Sequence, residues 1–305
     1  MNRRNFVIFG IFIILIGAIL LLPRNQSASQ SKTKPAFAQQ AVNVKTELVN
    51  RKNLQDYIIT NGEVTSETIV SVYPFTSGKI DSLLVYIGSE VSKGDIIAYI
   101  DPSKPGTAYA LNPVLSPISG TVLELPLQIG ATVSTNSSIA TIGVLDKLEI
   151  VTSIPERYSA LMKTGLTASI SFEALPDHPF SADVIRVSPI LDSTSRTRKV
   201  YLKIKGNPDP RLVIGMYARI RLNTVFYPNR IVISEKAINT LNGTDYVFVV
   251  KNDNTVNRRG IVKGVTIDGM VEIISGLEEN ERVVIEGAQN LTDGILVHDV
   301  ESGEN

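Results

Sequence analysis

Short apolar–polar alternations recur along most of the chain, and period two is the signature of strands with one buried face. Thr167–Ala174 puts Ala168, Ile170 and Phe172 on one side and Ser169, Ser171 and Glu173 on the other. Lys199–Lys205 sets Val200, Leu202 and Ile204 against Lys199, Tyr201, Lys203 and Lys205. Ala218, Ile220 and Leu222 alternate with Arg219 and Arg221. Many such segments separated by turn residues predict a mainly β protein of antiparallel strands, with the charged positions on solvated faces. Helical patterning is sparse. Pro155–Lys163 predicts one short helix, opened by proline and closed before Gly165, and Glu235–Leu241 a further turn or two.

The apolar pattern also repeats at an offset of 42 residues. Ser77–Ile100 (SGKIDSLLVYIGSEVSKGDIIAYI) aligns with Ser119–Ile142 (SGTVLELPLQIGATVSTNSSIATI). Gly78 falls on Gly120, Ile80 on Val122, Gly88 on Gly130, Val91 on Val133, and Ile97-Ala98 on Ile139-Ala140. Agreement at apolar and glycine positions means one supersecondary unit used twice. Gly78, Gly88, Gly120 and Gly130 are expected at tight turns, where glycine adopts positive φ without steric penalty. Neither copy is expected to bury its apolar face alone, so the two should pair. The connector that follows the first copy, Asp101–Leu115, is only 15 residues long and holds three prolines.

The N-terminus differs from all this. Phe6–Leu22 is an uninterrupted apolar run after Arg3 and Arg4, closed by Pro23. Its 17 residues rise about 25 Å as a helix, at the short end of what spans a bilayer. No good small-x-small site follows closely, so it reads as a retained single-pass anchor rather than a cleaved signal peptide. The short tail is then inside and the long body outside. Asn25–Gln40, rich in Ser, Gln, Lys and Ala, reads as a flexible tether.

Chemistry is scarce. The 30 basic and 30 acidic residues cancel and show no like-charge block, which argues against nucleic acid. There is no cysteine, hence no thiol nucleophile, thiolate ligand or disulfide. His178, in the turn-like Leu-Pro-Asp-His-Pro-Phe, and His298 each lack a second ligand at metal spacing. The four methionines are scattered, and no phosphate-cradling glycine loop occurs. No catalytic residue, cofactor or metal site is expected.

Two copies of S-G-x-[IV]-x-x-L…[IV]-G-x-x-V…[IV]-A-x-I resemble the halves of a biotinyl/lipoyl-like β-sandwich. Carrier domains of that kind present a lysine between the halves, flanked by Met or an acidic residue. Here Lys104 lies between Ser103 and Pro105, the wrong context for modification. The chain from about residue 42 to 300 instead resembles the HlyD-like periplasmic adaptors, or membrane fusion proteins, of RND-type efflux pumps. Phe180–Asp192 with Ser195-Arg196-Thr197, Leu212–Ile220, Ile233–Val250 and Val271–Val297 follow that family's motifs in order. Ser195, Ala182, Ile214, Ser234 and Asn280 depart from its usual residues.

The resemblance implies a cytoplasmic tail and anchor at 1–23, a tether at 24–41 and a lipoyl-like domain at 73–145. It further implies a β-barrel at 146–227 and a membrane-proximal domain from 42–72 and 228–300. It implies a non-enzymatic adaptor, anchored in the inner membrane with its bulk in the periplasm. Its partners would be an RND transporter, or an ABC exporter, together with an outer-membrane channel and further copies in a hexameric ring. Arg196 then either holds its loop through a local hydrogen bond or ion pair, or touches the pump or a neighbouring subunit. Most relatives insert an α-helical hairpin between the lipoyl halves. A 40 Å hairpin needs about 27 residues per helix, which Asp101–Leu115 cannot supply, so a variant without the hairpin is expected. The other classes left open are a lipoyl or biotinyl carrier subunit and an envelope scaffold that reuses the fold.

Overall fold

The computed structural model describes residues 41–206 and 209–300. The apolar run Phe6–Leu22 lies outside the described residues, as does the tether to Gln40. Among the described residues no helix is long and apolar enough to cross a membrane. The described chain is strands and turns, with three short 3-10 helices at Glu156–Leu161, Glu235–Ala237 and Ala288–Asn290. The helix expected over Pro155–Lys163 is thus a six-residue 3-10 segment. Pro155 still belongs to the preceding strand Leu148–Pro155, and Gly165 turns the chain at φ 85°, which leaves too few residues for α-helical cooperativity. Glu235–Leu241 likewise gives one 3-10 turn, after which Asn239–Leu241 pairs as a strand with Thr244–Val250.

The repeat becomes a two-sheet sandwich. One sheet orders Ile69–Val72, Ala140–Gly143, Gly120–Glu124 and Glu90–Val91. The other orders Asn112–Leu115, Ile96–Asp101, Gly78–Leu83 and Thr132–Val133. Each sheet therefore borrows its last strand from the other copy. Gly78 pairs with Val133, and Gly120, 42 residues on, pairs with Val91. The offset also relates two strands outside the sequence repeat: Val72 opposite Ala140 repeats as Val114 opposite Ala98. One core takes Ile80, Ile97 and Ile100 with their counterparts Val122, Ile139 and Ile142, all buried.

Glycine plays two parts here. Gly88 and Gly130 turn at φ 89° and 84°. Gly78 and Gly120 are not among the positive-φ residues and open strands instead. A Cβ on Gly78 would lie 2.2 Å from the Asp101 carbonyl oxygen, and one on Gly120 2.7 Å from that of Gly143. Crowding by a neighbouring backbone, rather than a turn, requires those two.

Next in the chain is a closed six-stranded barrel. Its strands run in the order Thr167–Phe172, Leu175–Asp192, Thr197–Ile204, Leu148–Pro155, Asn50–Ser66 and Tyr217–Ser234, which pairs back onto Thr167–Phe172. The alternations read from sequence point inward as expected: Ala168, Ile170, Phe172, Val200, Leu202, Ala218, Ile220 and Leu222 are buried together. Closure removes the free edges. The strands Asn50–Ser66 and Tyr217–Ser234 run past the barrel, where Val232 pairs with both Asn50 and Glu272. There Val42–Leu48, Thr244–Val250 and Arg282–Glu286 build a further sheet, with Val42–Leu48 parallel to Val297–Asp299.

Candidate partner-docking surfaces

The strand pairing fixes which end of the sandwich faces the barrel. The chain enters at Ile69 and leaves at Gly143, which pair with each other. The connector begins after Asp101, at the far end of Gly78–Leu83 from the Ile87-Gly88 turn. That turn sits beside Val122, at the entry end. So the connector and the barrel lie at opposite ends of the sandwich. Between the paired strands only Pro102–Leu111 is left over, with no helix in it. Lys104 and Thr107 bond to each other across Pro105-Gly106, with Gly106 at φ 85°. Tyr109 and Leu111 in this loop, and Phe75 and Ile129 beside it, are exposed.

The opposite pole of the barrel carries the sequence-singled Arg196. Thr197 pairs with Pro155, the far end of a strand whose near end, Leu148, pairs with Ser66 beside the sandwich. Arg196 takes φ 51°, and its carbonyl accepts the Glu156 N–H at 3.0 Å. Asp192 Oδ1 shapes the turn by accepting the Thr194 and Ser195 N–H groups at 2.9 and 3.0 Å. These bonds hold the Asp192 carboxyl below the usual carboxylate range, the Ser195 N–H contributing most. The Arg196 guanidinium is exposed and, among the described residues, enters no ion pair or hydrogen bond. The local bond weighed for its side chain is therefore made by its backbone.

Sequence reasoning missed the neighbour that builds this pole. Strand Leu175–Asp192 bulges between Val187 and Leu191, and Ile190 stands out 74% exposed. Arg198 pins the bulge by donating from Nε to the Ser188 carbonyl at 2.6 Å and from Nη1 to the Ser159 carbonyl at 3.2 Å. Bulge and 3-10 helix are thus joined through one guanidinium. The signal was Ser188-Pro189, which breaks the alternation of Val184–Leu191.

No reaction centre competes with these surfaces. His178 lies in a bulge of the strand Leu175–Asp192, between Leu175 and Phe180, and His298 in Val297–Asp299; both are exposed. Among the described residues no group of three or more His, Cys, Asp or Glu side chains could hold a metal. The most buried carboxylates are paired with arginine: Glu149 with Arg186 at 3.1 Å and Glu272 with Arg230 at 3.2 Å.

Three family models match in succession. Residues 68–145 match the RND MFP barrel-sandwich hybrid domain, 150–225 the CusB-like β-barrel domain, and 230–299 the YknX C-terminal permuted SH3-like domain. The chain belongs to the membrane fusion protein family. This membrane fusion protein is 28% identical over 195 residues to the cation efflux system protein CusB of Escherichia coli (strain CFT073), covering 64% of this chain and 47% of that one. It is 30% identical over 206 residues to the solvent efflux pump periplasmic linker SrpA of Pseudomonas putida, covering 62% and 53%. The chain spans about half the length of the curated relatives it matches. The crystal structure of MacA from Actinobacillus actinomycetemcomitans, 22% identical, superposes with a TM-score of 0.65 over 79% of this chain and 99% of that one, a likeness of fold.

Proposed function

We propose that this chain is a non-enzymatic periplasmic adaptor joining an inner-membrane RND transporter to an outer-membrane channel for small-molecule export. The observation that carries the reading is the order of the three matched domains on a sandwich whose connector and barrel lie at opposite ends. Phe6–Leu22 anchors it in the inner membrane as a single pass. Residues 42–72 and 228–300 form the membrane-proximal part, and copies assemble in a ring. Arg196, exposed at the barrel pole away from the connector, is the candidate contact with the transporter or a neighbouring copy. The connector end, with its exposed Phe75, Tyr109 and Ile129, meets the outer channel in place of a helical hairpin. The relatives named as a cation efflux protein and a solvent-efflux linker support an export role.

The test is capture of the tagged full chain from crosslinked membranes, with drug sensitivity measured in a deletion strain. Recovery of an RND transporter and heightened sensitivity are expected. An ABC-type subunit in its place reassigns the adaptor to that exporter class. A chain without membrane partners in cells of unchanged sensitivity overturns the proposal.

A further inference from the structure

Between the sandwich and the barrel lies a cleft of about 630 Å³. Leu123, Leu145 and Ile87 line one side and Val213 and Ile214 the other. Among the described lining residues Glu124 is the only charged one. Its size and mostly apolar wall are those of a small-molecule site at a domain boundary.

The repeat supplies an internal control. Cleft positions from Thr121 to Leu145 have counterparts 42 residues earlier, on the same scaffold at the bare end, whereas Ile69 and Ile87 have apolar counterparts 42 residues later in Leu111 and Ile129. Thr121 corresponds to Lys79, Leu123 to Asp81, Leu145 to Ser103, and Glu124 to Ser82. The register agrees: Glu124 pairs with Thr141 as Ser82 pairs with Tyr99, each beside a bulge. The fold therefore accepts lysine, aspartate and serine at these places. Where the scaffold faces the barrel it carries leucines and one carboxylate instead. Packing between the domains does not account for Leu145, which stays 44% exposed, with Val213 across the cleft 58% exposed. Apolar surface left open in a concavity marks a binding site.

We infer that this cleft binds an amphipathic organic cation, its apolar body between Leu123, Leu145 and Val213 and its positive charge toward Glu124. A charge partly withdrawn from water is stabilised by an opposite charge nearby, and Glu124 supplies it. The inference goes beyond the adaptor reading and needs no transporter.

Binding of tetraphenylphosphonium to the full chain in detergent tests it, with tetraphenylborate as the control of equal shape and opposite charge. The variants Glu124→Ser and Leu145→Ser import residues that the repeat already carries at the equivalent places, so both should fold. Saturable binding of the cation over the anion is expected. Glu124→Ser should weaken the cation about tenfold, a change of about 1.4 kcal/mol, and erase the preference over borate. Leu145→Ser should weaken both ions. Equal affinity for the two ions, binding unchanged in Glu124→Ser, or no saturable binding would each overturn the site. Capture of a transporter by a chain that binds no cation would sink this inference alone.

Discussion

Gly78 and Gly120 show how two equivalent residues record a contact between backbones. Gly78→Ala must push the Gly78–Leu83 strand from the Asp101 carbonyl, at a cost of about 1–3 kcal/mol, as for overpacking elsewhere. Gly88→Ala meets open space and pays only for its positive φ, about 1–2 kcal/mol. Hydrogen exchange across the sandwich separates the two, since only the first should loosen the Ile96–Asp101 strand. A different residue reports on pH. Burial holds the Glu47 carboxyl above the ordinary carboxylate range, against the opposing pulls of the Ser234 N–H and Lys52. The folded chain then keeps the Glu47 proton to higher pH than the unfolded chain does, so this residue's contribution to stability falls as pH rises through that interval. Glu47→Gln retains an acceptor for the Ser234 N–H, bonded at 2.5 Å. Thermal unfolding should show the variant more stable than the parent at neutral pH and level with it in acid. Asp209 has the opposite sign. Its bonds from Arg211 lower its pKa to about 2, so its contribution is lost only as pH falls toward that value.

Among the elements, the strand carrying Ser188-Pro189 is shaped by a residue on its neighbour. Arg198→Met removes both carbonyl contacts while keeping much of the side-chain volume. The bulge and the Glu156–Leu161 segment should then exchange amide hydrogens faster, with the barrel core around Val200 and Leu202 unchanged. Strand faces of this kind were legible in sequence, because side-chain alternation follows directly from the pleat. The repeat was legible for the same reason, as far as its apolar positions agree. It was invisible where they do not: Val72 falls on Val114, but Val70 and Ser71 correspond to Asn112 and Pro113. Pairing alone relates them. The pole around Arg196 was half legible, its turn flagged by motif but its Arg198 pin hidden, because that bond joins residues 39 apart. The cleft was not legible at all. Its walls come from segments some 70–130 residues apart that periodicity treats as unrelated.

At the scale of the whole molecule the poles separate two tasks. The barrel pole with Arg196 lies on the side where residue 41 joins the third region and the chain leads back to the tether. The connector pole lies at the other extreme. Under the adaptor reading, Arg196→Glu should reduce transporter recovery in membrane capture severalfold, leaving melting and the yield of any outer-membrane partner unaltered. Phe75→Ser with Ile129→Ser should do the reverse.

The exchange of last strands between the two sandwich sheets has a consequence for how the chain can be cut. Severing Lys104 from Thr107 breaks a surface loop and no ladder between the sheets, yet each resulting fragment owns strands that complete the other's sheet. A protease acting at that loop should leave a nicked molecule that runs as one species until denatured. Neither piece, expressed alone, should become protease-resistant, whereas the two produced together from separate messages should reassemble.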